Sequence, residues 1–284
     1  MRYGSGAQRR FDELTPVEDL NGRSTVERAH ELGPAIVREH TARPRNALLR
    51  ALPAPDYERL SDSLEEAVLV QHQVLNQPGG VITHAVFPES SLISLITSLE
   101  DGSSVEVAVV GSRGFSGLPL ALGSRTCPYG TLVQIGGKAV QMNAEAFSQE
   151  FRRGGSFQAV VLAYMRCRIF MVSQHVACNR MHELSKRLAR LLLRIHDELR
   201  GGEIPMTHES ISLLLGAARP DVAMHASALR STGAIDYSRS RIKVADRHKL
   251  EAAACECYSL IAKEIDRAFG KPRQFFKTVH STPE

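Results

Sequence analysis

Met206-Thr207-His208-Glu209-Ser210-Ile211-Ser212-Leu213-Leu214-Leu215-Gly216-Ala217-Ala218-Arg219-Pro220-Asp221-Val222-Ala223-Met224-His225-Ala226-Ser227-Ala228-Leu229 is the stretch on which the reading of this chain turns. Thr207 can cap a helix by accepting a hydrogen bond from a free backbone N–H, and Ile211, Leu214 and Leu215 give that helix an apolar face. Gly216 supplies a tight turn. Pro220 fits the first turn of a second helix, where its missing N–H costs least, and Val222 and Leu229 point inward. Two short helices joined by a Gly-containing turn form a helix-turn-helix.

Such a motif suits DNA because the second helix enters the major groove N-terminus first, offering early side chains to base edges and backbone N–H groups to phosphate. Those early positions are Ala218, Arg219, Pro220 and Asp221, and Arg219 can grip a guanine through two hydrogen bonds. Residues 234–244 read as a hairpin turning at Ser238-Arg239-Ser240, with Arg239, Arg241 and Lys243 placed like a basic wing for phosphates. The expected DNA-binding set is Thr207, Ala218, Arg219, Asp221, Val222, Arg239, Arg241 and Lys243. Helix pairs with glycine turns also occur in proteins that never touch DNA, so the rest of the chain has to decide.

Upstream, residues 157–199 read as helix with a break near Cys178-Asn179-Arg180. The first half is apolar on more than one face and must be covered on two sides. Packing one face on its own domain and the other on the same helix of a second copy satisfies this. The residues expected to build the dimer helix are Phe157, Val161, Tyr164, Cys167 and Met171. A core-only reading of the stripe, without dimerisation, is the alternative. Further upstream, residues 67–70, 81–87, 92–99, 105–110, 131–135 and 139–142 are short β-forming runs separated by turn signals such as Gln77-Pro78-Gly79-Gly80 and Glu100-Asp101-Gly102. Close spacing without intervening helices predicts an antiparallel roll rather than a parallel sheet. Residues 1–44 offer little core material and read as a flexible extension or a docking arm, with one helix expected over 25–40.

The 284 residues suit two modest domains, and 35 basic against 31 acidic residues leave a net charge of only +4, so global charge does not point to a partner. Five cysteines without disulfide spacing, no leader-like N-terminus and no run near the roughly 20 apolar residues of a membrane span predict a cytoplasmic protein. Cys255 and Cys257 form a Cys-x-Cys pair read as helical, with thiols on different faces; they read as structural cysteines, with redox or metal sensing the alternative. His84, His175 and His182 show no ligand spacing, so no metal and no cofactor are expected. No nucleophile elbow, phosphate loop or His-Glu-x-x-His run supports an enzyme.

The order of roll, long helix and winged helix-turn-helix resembles the Crp/Fnr family of bacterial transcription regulators. The matching stretches include Asn46-Ala47-Leu48-Leu49, Gln73-Val74-Leu75, Val86-Phe87-Pro88-Glu89-Ser90, Val110-Gly111 with Gly114 and Gly117, Ala177-Cys178-Asn179-Arg180, and Leu250-Glu251-Ala252-Ala253-Ala254-Cys255. The resemblance spans roughly residues 46–258. It implies an α+β architecture: a cyclic-nucleotide-binding-like β-roll of jelly-roll type over 45–154, a dimerisation helix over 155–182, a winged helix-turn-helix over 183–270 and a loose tail over 271–284. It also implies a homodimer on a palindromic DNA operator, with RNA polymerase as a further partner for such a regulator. Relatives that bind cyclic nucleotides carry a Gly-Glu step and, about ten residues on, an Arg beside a small hydroxyl residue. Here Gly117 is followed by Leu118-Pro119, and the later position falls in Cys127-Pro128-Tyr129. Cyclic AMP is therefore not the expected effector, which stays unidentified. The pocket is expected at Gly114, Phe115, Gly117, Leu118, Arg125 and Tyr129, with Arg125 standing a few residues early. The iron–sulfur branch uses N-terminal cysteines, which this chain lacks before Cys127. A protein of the same fold acting through protein contacts, its recognition helix worn down to Ala218, Pro220 and Met224, is the competing reading.

Overall fold

The structure is a computed structural model that describes residues 35–37, 44–100, 104–238 and 241–269. Two antiparallel sheets form the first half. One runs in the order β1 (Ala35–Val37), β2 (Leu64–Leu69), β8 (Gly137–Asn143), β4 (His84–Pro88); the other runs β3 (Val74–Asn76), β7 (Gly130–Ile135), β5 (Leu92–Ser98), β6 (Ser104–Val110). Leu69, Val86, Ile93, Leu95, Ala108, Val110, Val133 and Ala139 fill the space between them. Period-two side-chain alternation gives each sheet one face to bury there.

The chain enters the roll through α1 (Ala47–Arg50) and α2 (Ala54–Ser61). Asn46 is fully buried because its side chain is fully used: its amide donates to the carbonyls of Pro88 (2.9 Å) and Gly114 (2.8 Å), and its oxygen caps α1 at Leu48 N–H (3.0 Å). Leaving the roll, α3 (Ala144–Arg153) and α4 (Gly155–Met181) close its open side with Phe147, Phe157, Val161 and Tyr164, packed on Phe87 and Phe115. Gly114 permits this closure, since a Cβ there would lie 2.5 Å from the Tyr164 hydroxyl.

Beyond α4 come α5 (Leu184–Glu198), β9 (Glu203–Ile204), α6 (His208–Leu215), α7 (Arg219–Ser231), β10 (Ile235–Ser238), β11 (Arg241–Val244), α8 (Arg247–Ala253) and α9 (Cys257–Phe269). β9, β10 and β11 form a small antiparallel sheet. Leu188, Leu192 and Ile195 of α5 anchor a core with Ile211, Leu215, Val222, Ala226, Leu229 and Ile242, and Leu92, Val109 and Ile135 of the roll join it. The two halves are also locked by polar contacts. Ser112 Oγ donates to the Glu198 carbonyl (2.8 Å), Arg113 N–H donates to the Glu198 carboxylate (3.0 Å), and Arg113 Nη2 pairs with the same carboxylate at 3.3 Å.

Several expectations need correction. Ala35–Val37 is a strand paired with β2, not helix; the remainder of the expected 25–40 helix lies outside the described residues. The helix break falls at His182, whose backbone is extended (φ −111°, ψ 141°), four residues later than Cys178. Phe157, Val161, Tyr164, Cys167 and Met171 are all buried within the chain, so none is free to form a dimer seam. The first three pack into the roll, Cys167 lies against the Glu264 carbonyl, and Met171 packs on Ile261 and Ile265 of α9. The sequence showed that two faces of α4 are apolar, but not which face the returning α9 would cover.

Candidate nucleic-acid interface

Thr207 caps α6, its Oγ1 accepting from Ser210 N–H at 3.1 Å. Gly216 ends that helix in the left-handed region (φ 56°, ψ 47°), the conformation a tight turn into α7 requires and an L side chain resists. α7 begins at Arg219 with Pro220 in its first turn and no side-chain cap from Ala218. Val222, Ala226 and Leu229 face the core, which leaves Ala218, Arg219, Pro220, Asp221, Met224, Ser227 and Arg230 at least partly exposed along the outer edge. Val222, expected among the DNA-binding residues, is 0% exposed and serves as an anchor of the helix instead.

On the wing, Arg241 and Lys243 are exposed on one side of β11 while Ile242 between them is buried, the alternation a half-buried strand imposes. Arg239 lies outside the described residues. Sequence reasoning missed Arg230, which stands 4.9 Å over the Tyr237 ring and 3.0 Å from Asp236. Its helical spacing of eleven from Arg219 puts the two on nearby faces, a signal the sequence did carry. Arg219 sits 3.7 Å from Glu209 and Arg241 sits 3.5 Å from Glu203. These pairs are exposed and worth at most ~1 kcal/mol each, so a phosphate or base edge competes with them easily.

A cavity of about 410 Å³ lies between the roll and α4, lined among others by Phe115, Leu118, Tyr129, Tyr164, Arg168 and Ile169. Three of the six expected pocket residues, Phe115, Leu118 and Tyr129, line it. Gly114 and Gly117 lie behind the wall, against Tyr164 and Ala85. Arg125 is outside: it is exposed and pairs with Glu145 at 3.4 Å. The cation of the cavity is Arg168, buried and donating to the Val109 carbonyl at 3.4 Å. Burial raises both tyrosine hydroxyls, so Tyr129 and Tyr164 stay neutral.

A second cavity of about 210 Å³, nearer α5, is lined by Glu106, His175, Asn179, Arg190 and Arg194. Burial, reinforced by Arg190, Arg194 and Arg168, pushes His175 down to about 2, so its ring is neutral. Burial pushes Glu106 up to about 8 despite a hydrogen bond from Ser94 and the three arginines.

On its outer side α4 leaves Leu162, Ile169, Val172 and Val176 exposed, with Met165 half-buried beside them. The spacing alternates three and four, the period of a coiled-coil seam. Cys255 and Cys257 also depart from expectation. Cys255 precedes α9 rather than lying inside a helix, and the two thiols converge with Cys178 and His182.

A family model for the Crp-like helix-turn-helix domain matches residues 186–253. FixK2 from Bradyrhizobium japonicum superposes with a TM-score of 0.59 at 14% identity, over 68% of this chain and 98% of its own. A CRP-family transcriptional regulator from Thermus thermophilus gives 0.55 at 20% identity, over 66% and 95%. The c-di-GMP responsive regulator CLP from Xanthomonas campestris gives 0.55 at 15% identity, over 68% and 100%. Among curated proteins none matches the chain. No helix among the described residues is long and apolar enough to cross a membrane.

Proposed function

Taking as premise a Crp-like helix-turn-helix domain carried on the Crp/Fnr regulator fold, we propose that the chain is a homodimeric, sequence-specific DNA-binding transcription regulator. The observation that carries this reading is the outer edge of α7: its core face is filled by Val222, Ala226 and Leu229 while Ala218, Arg219 and Asp221 at its N-terminal end are exposed. Arg219 reads base edges, while Thr207, Arg230, Arg241 and Lys243 hold phosphates. Two copies join along Leu162, Met165, Ile169, Val172 and Val176, which sets the spacing of the two α7 helices and hence a two-fold symmetric operator. Five unpaired cysteines support a reducing, cytoplasmic setting, and RNA polymerase is the partner such a regulator would recruit or exclude.

The effector site is the cavity at Phe115, Tyr129 and Arg168. No carboxylate among the described residues lines it to hold a ribose, which supports an effector other than a cyclic nucleotide: a largely apolar molecule with one anionic group for Arg168. Ile169 and Val172 belong to both the cavity wall and the exposed stripe. A ligand there would bias the dimer only through unequal affinity for its two arrangements.

Selection from random duplex DNA across a salt series tests the reading. Enrichment of a two-fold symmetric site, with affinity falling steeply as salt rises, is expected. A second reading, action through protein contacts alone, is favoured by one observation: Arg219, Arg230 and Arg241 each face an acid within the chain. Failure to enrich any site at low salt would select it.

A further inference from the structure

Cys178 lies in the last turn of α4, and His182, four residues on, is the extended residue that ends the helix. Cys255 and Cys257 bracket the turn between α8 and α9. Cys178 Sγ lies 3.5 Å from Cys255 Sγ, and Cys257 Sγ lies 3.5 Å from His182 Nδ1. All four donor atoms fall within 4.8 Å of one another. The three cysteines are buried and the His182 side chain is only 18% exposed.

A tetrahedral zinc ion bound at about 2.3 Å by sulfur and about 2.0 Å by nitrogen places its ligands about 3.5–3.8 Å apart, close to these contacts. Ligands on opposite irons of a cluster would stand further apart, which favours a single ion. The surroundings match the donors. His182 turns its other nitrogen, Nε2, to the Glu256 carboxylate at 3.3 Å, the outer partner that orients a metal-bound imidazole. Gln174 donates to Cys257 Sγ at 3.1 Å. Three thiolates around a divalent cation leave one negative charge, and Arg187 and Arg190 lie close enough to act on the same sulfurs.

We propose that Cys178, His182, Cys255 and Cys257 bind one divalent cation of the zinc class in a closed Cys3His site. Thiolate softness selects against magnesium and calcium, and with all four positions taken by protein the ion is structural. Binding releases the thiol protons to solvent and leaves the sulfurs unoxidised. Its place gives it a job: the ion ties the last turn of α4, at the His182 break, to the α8–α9 turn beyond the helix-turn-helix. Arg187, beside the sulfurs, also donates to the Leu215 carbonyl at the end of α6, so the clamp touches the turn that presents α7.

Metal analysis of the purified full chain, followed by replacement with cobalt(II), tests the site. One zinc per chain is expected, together with the intense visible bands of tetrahedral cobalt and a near-ultraviolet thiolate-to-cobalt band. Cys255→Ser should lose both signals, and Cys127→Ala, remote from the site, should keep them. Because Cys255→Ser can fail to fold, Glu256→Gln supplies a second arm: its side chain is exposed, and zinc affinity should fall about 10–100-fold with the fold intact. Absence of stoichiometric metal and of cobalt bands in the folded chain would overturn the proposal. So would a Cys178–Cys255 disulfide in place of the ion, or unchanged zinc affinity in Glu256→Gln.

Discussion

Glu198 concentrates the energetics of the boundary between the two halves in one side chain. It is 2% exposed, pairs with Arg113 at 3.3 Å and with Arg194 at 3.8 Å, and receives the Arg113 N–H. Burial opposes the charge of Arg113, and Glu198 and Asp197 outweigh it. Removing the carboxylate deprives buried Arg194 of its acid and leaves Arg113 with only Asp197, at 3.7 Å. Glu198→Ala is therefore expected to lose about 3–5 kcal/mol of stability in urea unfolding, far more than an exposed pair would. Glu106 acts in the opposite sense. Its carboxyl is raised from an ordinary 4.5 to about 8 by burial, so the folded chain holds a proton that the unfolded chain releases. Its contribution is complete below 4.5 and is lost as pH rises through about 8. Glu106→Gln should match the wild type in urea midpoint at about pH 4 and exceed it at about pH 9; equal midpoints at both pH values would show that Glu106 does not govern this window. Such residues were not legible beforehand, because a lone Glu in a β run reads as solvent-facing until the helix that covers it is known.

Among the elements, α7 starts without a side-chain cap: Ala218 offers none, so the first N–H groups of the helix lack a partner from that position. Ala218→Ser should stabilise the domain by about 0.5–2 kcal/mol in thermal or urea unfolding. Gly216→Ala should cost about 1–2 kcal/mol by forcing an L residue into the left-handed turn. The helix-turn-helix and the strands of the roll were readable from sequence, since Thr207, Gly216 and Pro220 mark boundaries chemically and period-two runs mark strands. α4 was readable as a helix but not by face. Val161, Tyr164 and Met171 are as apolar as Leu162, Ile169 and Val172, and only the roll and the returning α9 decide which set is spent inside the chain. The same blindness hid the cysteine cluster. Cys178 and His182 stand only four residues apart, but their partners lie more than seventy residues downstream and only the fold brings them together.

For the whole molecule, the roll and the helix-turn-helix unit are joined through Arg113, Glu198 and the shared core of Leu92 and Val109. In the proposed dimer, placement of two α7 helices then depends on how two α4 helices meet. The exposed stripe predicts that Ile169→Glu leaves the monomer folded, because Ile169 is 69% exposed within the chain, yet prevents association. Neutralising Arg241 or Lys243 should each lower the salt slope of DNA binding by about 1, the share of a single phosphate. The most direct test is the stoichiometry of the complex with the selected duplex, measured by sedimentation for the wild type and for Ile169→Glu. Two chains on each symmetric duplex, with affinity lost in the variant, is the expected result; a single chain per duplex, or an Ile169→Glu variant that binds as two chains with undiminished affinity, would contradict the account.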